Sequence, residues 1–281
     1  MGPFDNNFKK IAWSGHSDSG RYRLKNQDRF IALKVDGEGV YHLGKKGNDS
    51  LEQSNFVFAV SDGMGGANAG DFASRAVVEQ ISILFPSICE IQAQGVEVCF
   101  QNVLMELVSN LHTAISNMGS SYKELDGMGA TLSMLWVRAE QIYFAHIGDS
   151  RIYHLTKKGE FNQITKDDTH IAWLKEKGAI SDYEARNDPR RNILQQVIGG
   201  KTQHLNPQFG ELVLNDEDRF LICSDGLNEG LMDSTIKRMM IEAETITTLD
   251  LEMDSFAEKM VNQSVSVDGK DNTTALCIQI N

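Results

Sequence analysis

The chain is expected to fold as an α+β layered domain, on three observations. Two strand pairs in the middle of the sequence have links so short that only antiparallel pairing can join them. Two amphipathic helical repeats precede those pairs, and a third follows near the end. The helices sit before and between groups of strands instead of alternating with them, which argues against a doubly wound parallel sheet.

Taken in order, residues 27–33 read as a strand, and the polar, glycine-containing stretch 36–54 reads as a long hairpin loop or surface insertion. Residues 55–60 are the next strand. Ala69, Phe72, Ala73, Ala76, Val77, Gln80, Ile81 and Leu84 keep near-helical spacing, which predicts a helix over 68–84 ended by Pro86. Phe100, Val103, Leu104, Leu107, Val108, Leu111 and Ile115 repeat that signature. Residues 130–138 and 141–147 form a hairpin across Ala139-Glu140, and 151–156 and 160–164 form another across Lys157-Lys158-Gly159. The polar segment 165–207, with Asp188-Pro189-Arg190-Arg191, is expected to be a partly helical excursion over the surface. A last helix over 255–264 and a closing strand over 273–280 complete the order.

No composition break or Gly/Ser linker divides the 281 residues, so one domain over 1–281 is expected. The 39 acidic and 27 basic residues give a formal charge of −12, which disfavours nucleic acid and anionic membrane surfaces as partners. The first residues lack the basic segment and apolar core of a leader, and Asn6 stands where a myristoylation signal wants Ser or Thr. No run approaches the roughly 18 apolar residues of a membrane span. The four cysteines (Cys89, Cys99, Cys223, Cys277) lack Cys-x-x-Cys spacing and read as reduced thiols, which places the chain in a reducing cytoplasm.

Two apolar strands end in the same tripeptide. Phe56 to Val60 runs into Ser61-Asp62-Gly63, and Phe220 to Cys223 runs into Ser224-Asp225-Gly226. Asp271 opens the closing strand, and Asp149 follows Tyr143 to Ile147 through Gly148. Carboxylates on short side chains at the ends of rigid strands suit Mg²⁺ or Mn²⁺, which take oxygen ligands and keep several waters. A following glycine lets a backbone carbonyl approach the ion.

Arg23 to Asp28, Asp62-Gly63-Met64-Gly65-Gly66, Gly129-Ala130-Thr131-Leu132, Gly148-Asp149-Ser150-Arg151, Ser224-Asp225-Gly226-Leu227 and Asp271-Asn272-Thr273-Thr274 follow one another in this order. Together they resemble the bacterial branch of the protein phosphatase 2C family, metal-dependent protein Ser/Thr phosphatases, over roughly 14–280. Each motif is weak alone; six in order are specific. The resemblance implies an α/β/β/α sandwich with two central, mostly antiparallel sheets flanked by helices. It implies two Mn²⁺ or Mg²⁺ ions, with a third possible, that arm a water for hydrolysis of phosphoserine and phosphothreonine. Asp62 would bridge the two ions, the Gly63 carbonyl would bind the second, and Asp225 and Asp271 would hold the first. Asp149, with Asp225, would hold the third ion; Asp28 would order water and Arg23 would grip the substrate phosphate. The implied partners are phosphorylated proteins, a Ser/Thr kinase and its substrates, and the implied state is a monomer. Residues 165–207 would be the family's variable flap and the seat of substrate choice.

Two residues depart from the pattern. Many eukaryotic members carry His where this chain has Met64, and Met cannot donate a proton to a leaving alkoxide. Gln27 stands where some members have Glu. These departures motivate an alternative: a catalytically weak phosphoprotein-binding or regulatory module of the same fold. An aspartyl-phosphate hydrolase would need an Asp-x-Asp nucleophile at a strand end, which is absent. Arg151 is expected to brace a loop by a salt bridge, Asn272 to hold the Asp271 turn, Thr131 to bond the backbone, and the seven histidines to serve surface or packing roles.

Overall fold

The computed structural model describes residues 9–66, 68–93, 99–201, 204–243 and 255–281. The N-terminal residues that bear on a leader or myristoylation lie outside them. Fourteen strands and seven helices are described: β1 (Lys10–Asp18), β2 (Asp28–Val35), β3 (Val40–His42), β4 (Lys46–Ser50), β5 (Asn55–Met64), α1 (Ala69–Ala93), α2 (Phe100–Ser121), β6 (Gly129–Ala130), β7 (Leu132–Val137), β8 (Gln141–Ile147), β9 (Arg151–Leu155), β10 (Phe161–Gln163), α3 (His170–Glu176), α4 (Asp182–Asn187), β11 (Ile198–Gly199), β12 (Gln208–Val213), β13 (Arg219–Cys223), α5 (Asp225–Gly230), α6 (Asp233–Glu242), α7 (Phe256–Val267) and β14 (Thr273–Ile280).

One sheet runs β10-β9-β13-β14-β1-β4, and the other β11-β6-β5-β7-β8-β12 with β2 paired to β5 and β3 paired to β2. Every described pairing is antiparallel. Alternation along the strands builds the layers, because successive side chains leave opposite faces. Phe56, Phe58 and Val60 of β5 meet Trp13, Ile222, Leu276 and Ile278 between the sheets. Val57 and Ala59, one residue out of phase, pack under Val77, Ile81, Leu104 and Leu111 of α1 and α2. On the far side, Leu221, Cys223, Ala275 and Cys277 pack against Ile236, Met240, Met260 and Val261 of α6 and α7. Both faces of β5 and β14 are therefore buried, which is why these strands read as nearly continuous apolar runs. Each such aliphatic or aromatic side chain contributes roughly 1.5–3 kcal/mol on burial. The expected α/β/β/α order is what forms.

Several local expectations are corrected. The helix over 68–84 is not ended by Pro86 and runs to Ala93; an interior proline costs a helix about 3 kcal/mol and kinks it as readily as it breaks it. The 36–54 stretch is more than a loop: it contains β3 and β4, and β4 pairs with β1 from Lys10↔Ser50 to Ser14↔Lys46. As an exposed edge it has little apolar signal to reveal it. The strand expected over 55–60 extends to Met64, so Asp62 lies inside a strand instead of beyond its end. Long-range pairing with β2 and β6 holds that extension. Within 165–207 the two short helices α3 and α4 bear out a partly helical excursion.

Candidate functional site

Register places the first two carboxylates side by side. Asp28, the first residue of β2, pairs with Asp62 of β5, and Asp28 is only 1% exposed. Its Oδ2 accepts hydrogen bonds from Ser224 Oγ at 2.6 Å and Thr274 Oγ1 at 2.7 Å. Asp28 thereby ties the strand ends of one sheet to β2 of the other. Its Oδ1 is buried with no donor, and so is Oδ1 of Asp225. The charge of Asp28 acts on the Asp62 carboxyl across this pair of strands.

Asp62 is held by its backbone: its N–H donates to Thr131 Oγ1 at 2.9 Å, and Thr131 N–H donates to its carbonyl at 2.8 Å. Thr131 thus makes the backbone bond expected of it. Gly63 runs against Gly70 at the start of α1; a Cβ on Gly63 would lie 1.9 Å from the Gly70 carbonyl oxygen. Gln27 Nε2 donates to the Gly66 carbonyl at 3.0 Å, so this amide braces the glycine loop. Met64 is 41% exposed and presents a thioether where a proton donor would be wanted.

Asp225 opens α5 just after β13, and Asn192 from the 165–207 segment donates to its Oδ2 at 3.3 Å and to Glu229 at 2.9 Å. That places the segment beside the carboxylates. Sequence reasoning missed Asn192, because its position follows only from the path of a polar loop. Asp271 receives Arg23 Nη2 at 2.5 Å and the Asn272 N–H at 2.8 Å. Asn272 is 3% exposed. Its amide donates to the carbonyls of Ser19 and Lys25 and accepts from the Gln27 N–H, so it fixes the loop carrying Arg23. Asn272→Ala is expected to loosen this loop and speed amide hydrogen exchange at Gln27 by about tenfold, since its N–H loses its acceptor; exchange of the isolated protein checks it.

Asp149 follows Gly148, whose φ of +107° makes a turn that few other residues adopt. Arg151 pairs with Asp167 through Nε at 2.9 Å and Nη2 at 2.6 Å, and reaches Tyr153 Oη at 3.0 Å. It is a brace, as expected, and its fork is taken up by Asp167. Among the other residues read as structural, Cys223 and Cys277 are buried free thiols and Cys99 is exposed.

The electrostatics are unfavourable for the chain alone. Burial, then the charge of Asp28 and those of Asp225, Asp149 and Asp271, push the Asp62 carboxyl well above its usual range. Burial and then Asp149, Asp271, Glu229 and Asp28 do the same to Asp225. Burial pushes Asp149 to about 7 and Asp28 to about 6. Buried like charges raise one another's pKa unless a cation offsets them. Among the described residues no three His, Cys, Asp or Glu side chains already enclose one point at bonding distance. An all-oxygen donor set, two buried oxygens without donors and a surplus of buried negative charge together fit a hard divalent cation.

Residues 36–264 match the family described as Protein phosphatase 2C. The chain belongs to the protein phosphatase 2C family. Protein phosphatase PhpP of Streptococcus pneumoniae is 31% identical over 265 residues, covering 94% of this chain and 96% of that protein. Serine/threonine protein phosphatase PstP of Mycobacterium tuberculosis is 31% identical over 232 residues, covering 83% of this chain. The match spans only 42% of the length of PstP. A crystal structure of the catalytic domain of PstP in complex with two manganese ions superposes with a TM-score of 0.74 at 26% identity, covering 97% of this chain and 99% of that one. Among the described residues, no helix is long and apolar enough to cross a membrane.

Proposed function

We propose that this protein phosphatase 2C family member is a metal-dependent phosphoprotein phosphatase that hydrolyses phosphoserine and phosphothreonine monoesters, opposing a Ser/Thr kinase in the cytoplasm. The observation that carries this reading is the gathering of Asp28, Asp62, Asp149, Asp225 and Asp271 within range of one another's charge, beside Arg23. Asp62, Asp225 and Asp271 would hold two Mn²⁺ or Mg²⁺ ions with the Gly63 carbonyl, and Asp149 would serve a third. Bound divalent ions supply an acidified water as nucleophile and neutralise charge on the phosphoryl group.

The chain's own residues do the remaining work. Arg23 is half exposed and bound to one carboxylate, so its planar fork can exchange Asp271 for two phosphate oxygens. Asp28, fixed by Ser224 and Thr274, keeps Oδ1 free to accept from a water. Asn272 and Gln27 hold the Arg23 loop and the glycine loop in register with Asp62. No side chain needs to act as nucleophile, and Met64 contributes no proton. Buried carboxylate oxygens without donors call for a cation, which supports the metal-dependent reading over a binding module that needs none.

The chain is read as one catalytic domain acting as a monomer, with 165–207 as a substrate-facing flap. The test is turnover of a phosphothreonine peptide: hydrolysis that requires Mn²⁺ or Mg²⁺ and is abolished by chelator supports the reading. Phosphopeptide binding without hydrolysis at saturating Mn²⁺ overturns it.

A further inference from the structure

We propose that His146 is a positioning residue that locks the turn carrying Asp149 to both ends of the 165–207 segment. The reading builds on the proposed phosphatase function. Ser133, His146 and Gln208 stand in one row across β7, β8 and β12, because His146 is the register partner of both others. Residues in such a row project to the same face of a sheet. Ser133 and His146 are fully buried, so each of their polar side-chain atoms needs a partner.

The bonds define the imidazole. His146 Nε2 lies 3.1 Å from the Gly148 carbonyl oxygen and 3.1 Å from that of Lys166. Both oxygens can only accept, so Nε2 carries the proton and Nδ1 accepts from Ser133 Oγ at 2.8 Å. The two carbonyls belong to different parts of the chain: one precedes Asp149, the other begins the 165–207 segment.

A second layer of bonds closes a ring. Gln208 Nε2 donates to the Lys166 carbonyl at 2.6 Å and to Asp168 Oδ1 at 3.2 Å, while Lys166 N–H donates to Gln208 Oε1 at 2.8 Å. Asp168 Oδ2 accepts the Gly148 N–H at 2.8 Å, and the Asp168 N–H donates back to the Gly148 carbonyl at 2.7 Å. The Asp168 carbonyl takes the Gln195 N–H at 2.8 Å. Asp168 and Gln195 thus bracket the chain that presents Asn192 to Asp225. An apolar side chain could fill the His146 space without three partners. The imidazole instead supplies a donor to two carbonyls that must stay together for Asp149 and Asn192 to face the same site.

The experiment compares His146→Leu, His146→Gln and Ser133→Ala, by amide hydrogen exchange of the substrate-free protein and by kinetics on a phosphothreonine peptide. His146→Leu is expected to speed exchange at Gly148, Asp168 and Gln195 and to lower kcat/KM about 10–100-fold, mostly through KM. Gln can still donate to a carbonyl, so His146→Gln is expected within about threefold of the parent protein. Equal behaviour of the Leu and Gln variants, or exchange rising evenly across the sheet, would overturn the proposal. If His146→Leu fails to fold, Ser133→Ala removes one hydroxyl only; faster exchange at the same three amides supports the clamp, and parental exchange overturns it. Exchange needs no substrate, so lack of turnover in the parent protein would count against the phosphatase reading and leave the clamp to be judged by exchange.

Discussion

Asp225→Asn is expected to lose about a thousandfold in kcat/KM on a phosphothreonine peptide with Mn²⁺ present, the scale of several kcal/mol that metal stabilisation of phosphoryl charge provides. The substitution keeps the size and one oxygen of the side chain but removes the charge whose Oδ1 is buried without a donor. Calorimetry should show weaker Mn²⁺ binding alongside the lost turnover. The ion-free protein should melt at the same or a higher temperature, because burial and the neighbouring Asp149, Asp271, Glu229 and Asp28 all disfavour the Asp225 charge. A structural turn residue would behave in the opposite way, losing stability and keeping activity. Full activity in Asp225→Asn would exclude the assigned chemistry.

Gly63→Ala is expected to destabilise the fold by about 3 kcal/mol and to remove most activity with it. The added methyl would lie 1.9 Å from the Gly70 carbonyl oxygen and 2.5 Å from its carbon. Both belong to backbone, so neither can rotate away, and β5 must separate from the start of α1. That shift moves Asp62 and the Gly63 carbonyl together. Thermal denaturation measures the loss, with Gly37→Ala as the control, since a methyl there meets nothing within 4 Å. A melting temperature for Gly63→Ala equal to that of the control would contradict the close backbone approach.

Much of the layering was legible because burial on both faces leaves a plain mark. Phe56 to Val60 and Phe220 to Cys223 are apolar at every position, and each is followed by Ser-Asp-Gly. The helical repeats and short hairpin links were equally local signals, and they form as expected in α2 and α7 and in β7–β8 and β9–β10. Features set by distant pairing were not legible. Asp62 lies inside β5 only because β2 and β6 flank it, and β4 is a strand only because β1 pairs with it.

The same division runs through the candidate site. The aspartates announced themselves by position, whereas the groups that hold them did not. Ser224 and Thr274 lie inside the recognised motifs, yet their bonds to Asp28 Oδ2 depend on two sheets meeting. Asn192 belongs to a polar segment with no pattern of its own, and only the fold brings it to Asp225. Arg23, read as a phosphate grip, is found on Asp271, as an arginine next to uncompensated buried carboxylates should be. This pair and the phosphate role draw on the same guanidinium.

Asp62, Asp225 and Asp271 are proposed to hold divalent cations. Anomalous diffraction from crystals of the protein grown with Mn²⁺ tests this most directly. Manganese peaks are expected between these three carboxylates and the Gly63 carbonyl, and are expected to be lost in Asp225→Asn. Crystals of hydrolytically active protein with no manganese among those side chains would contradict it.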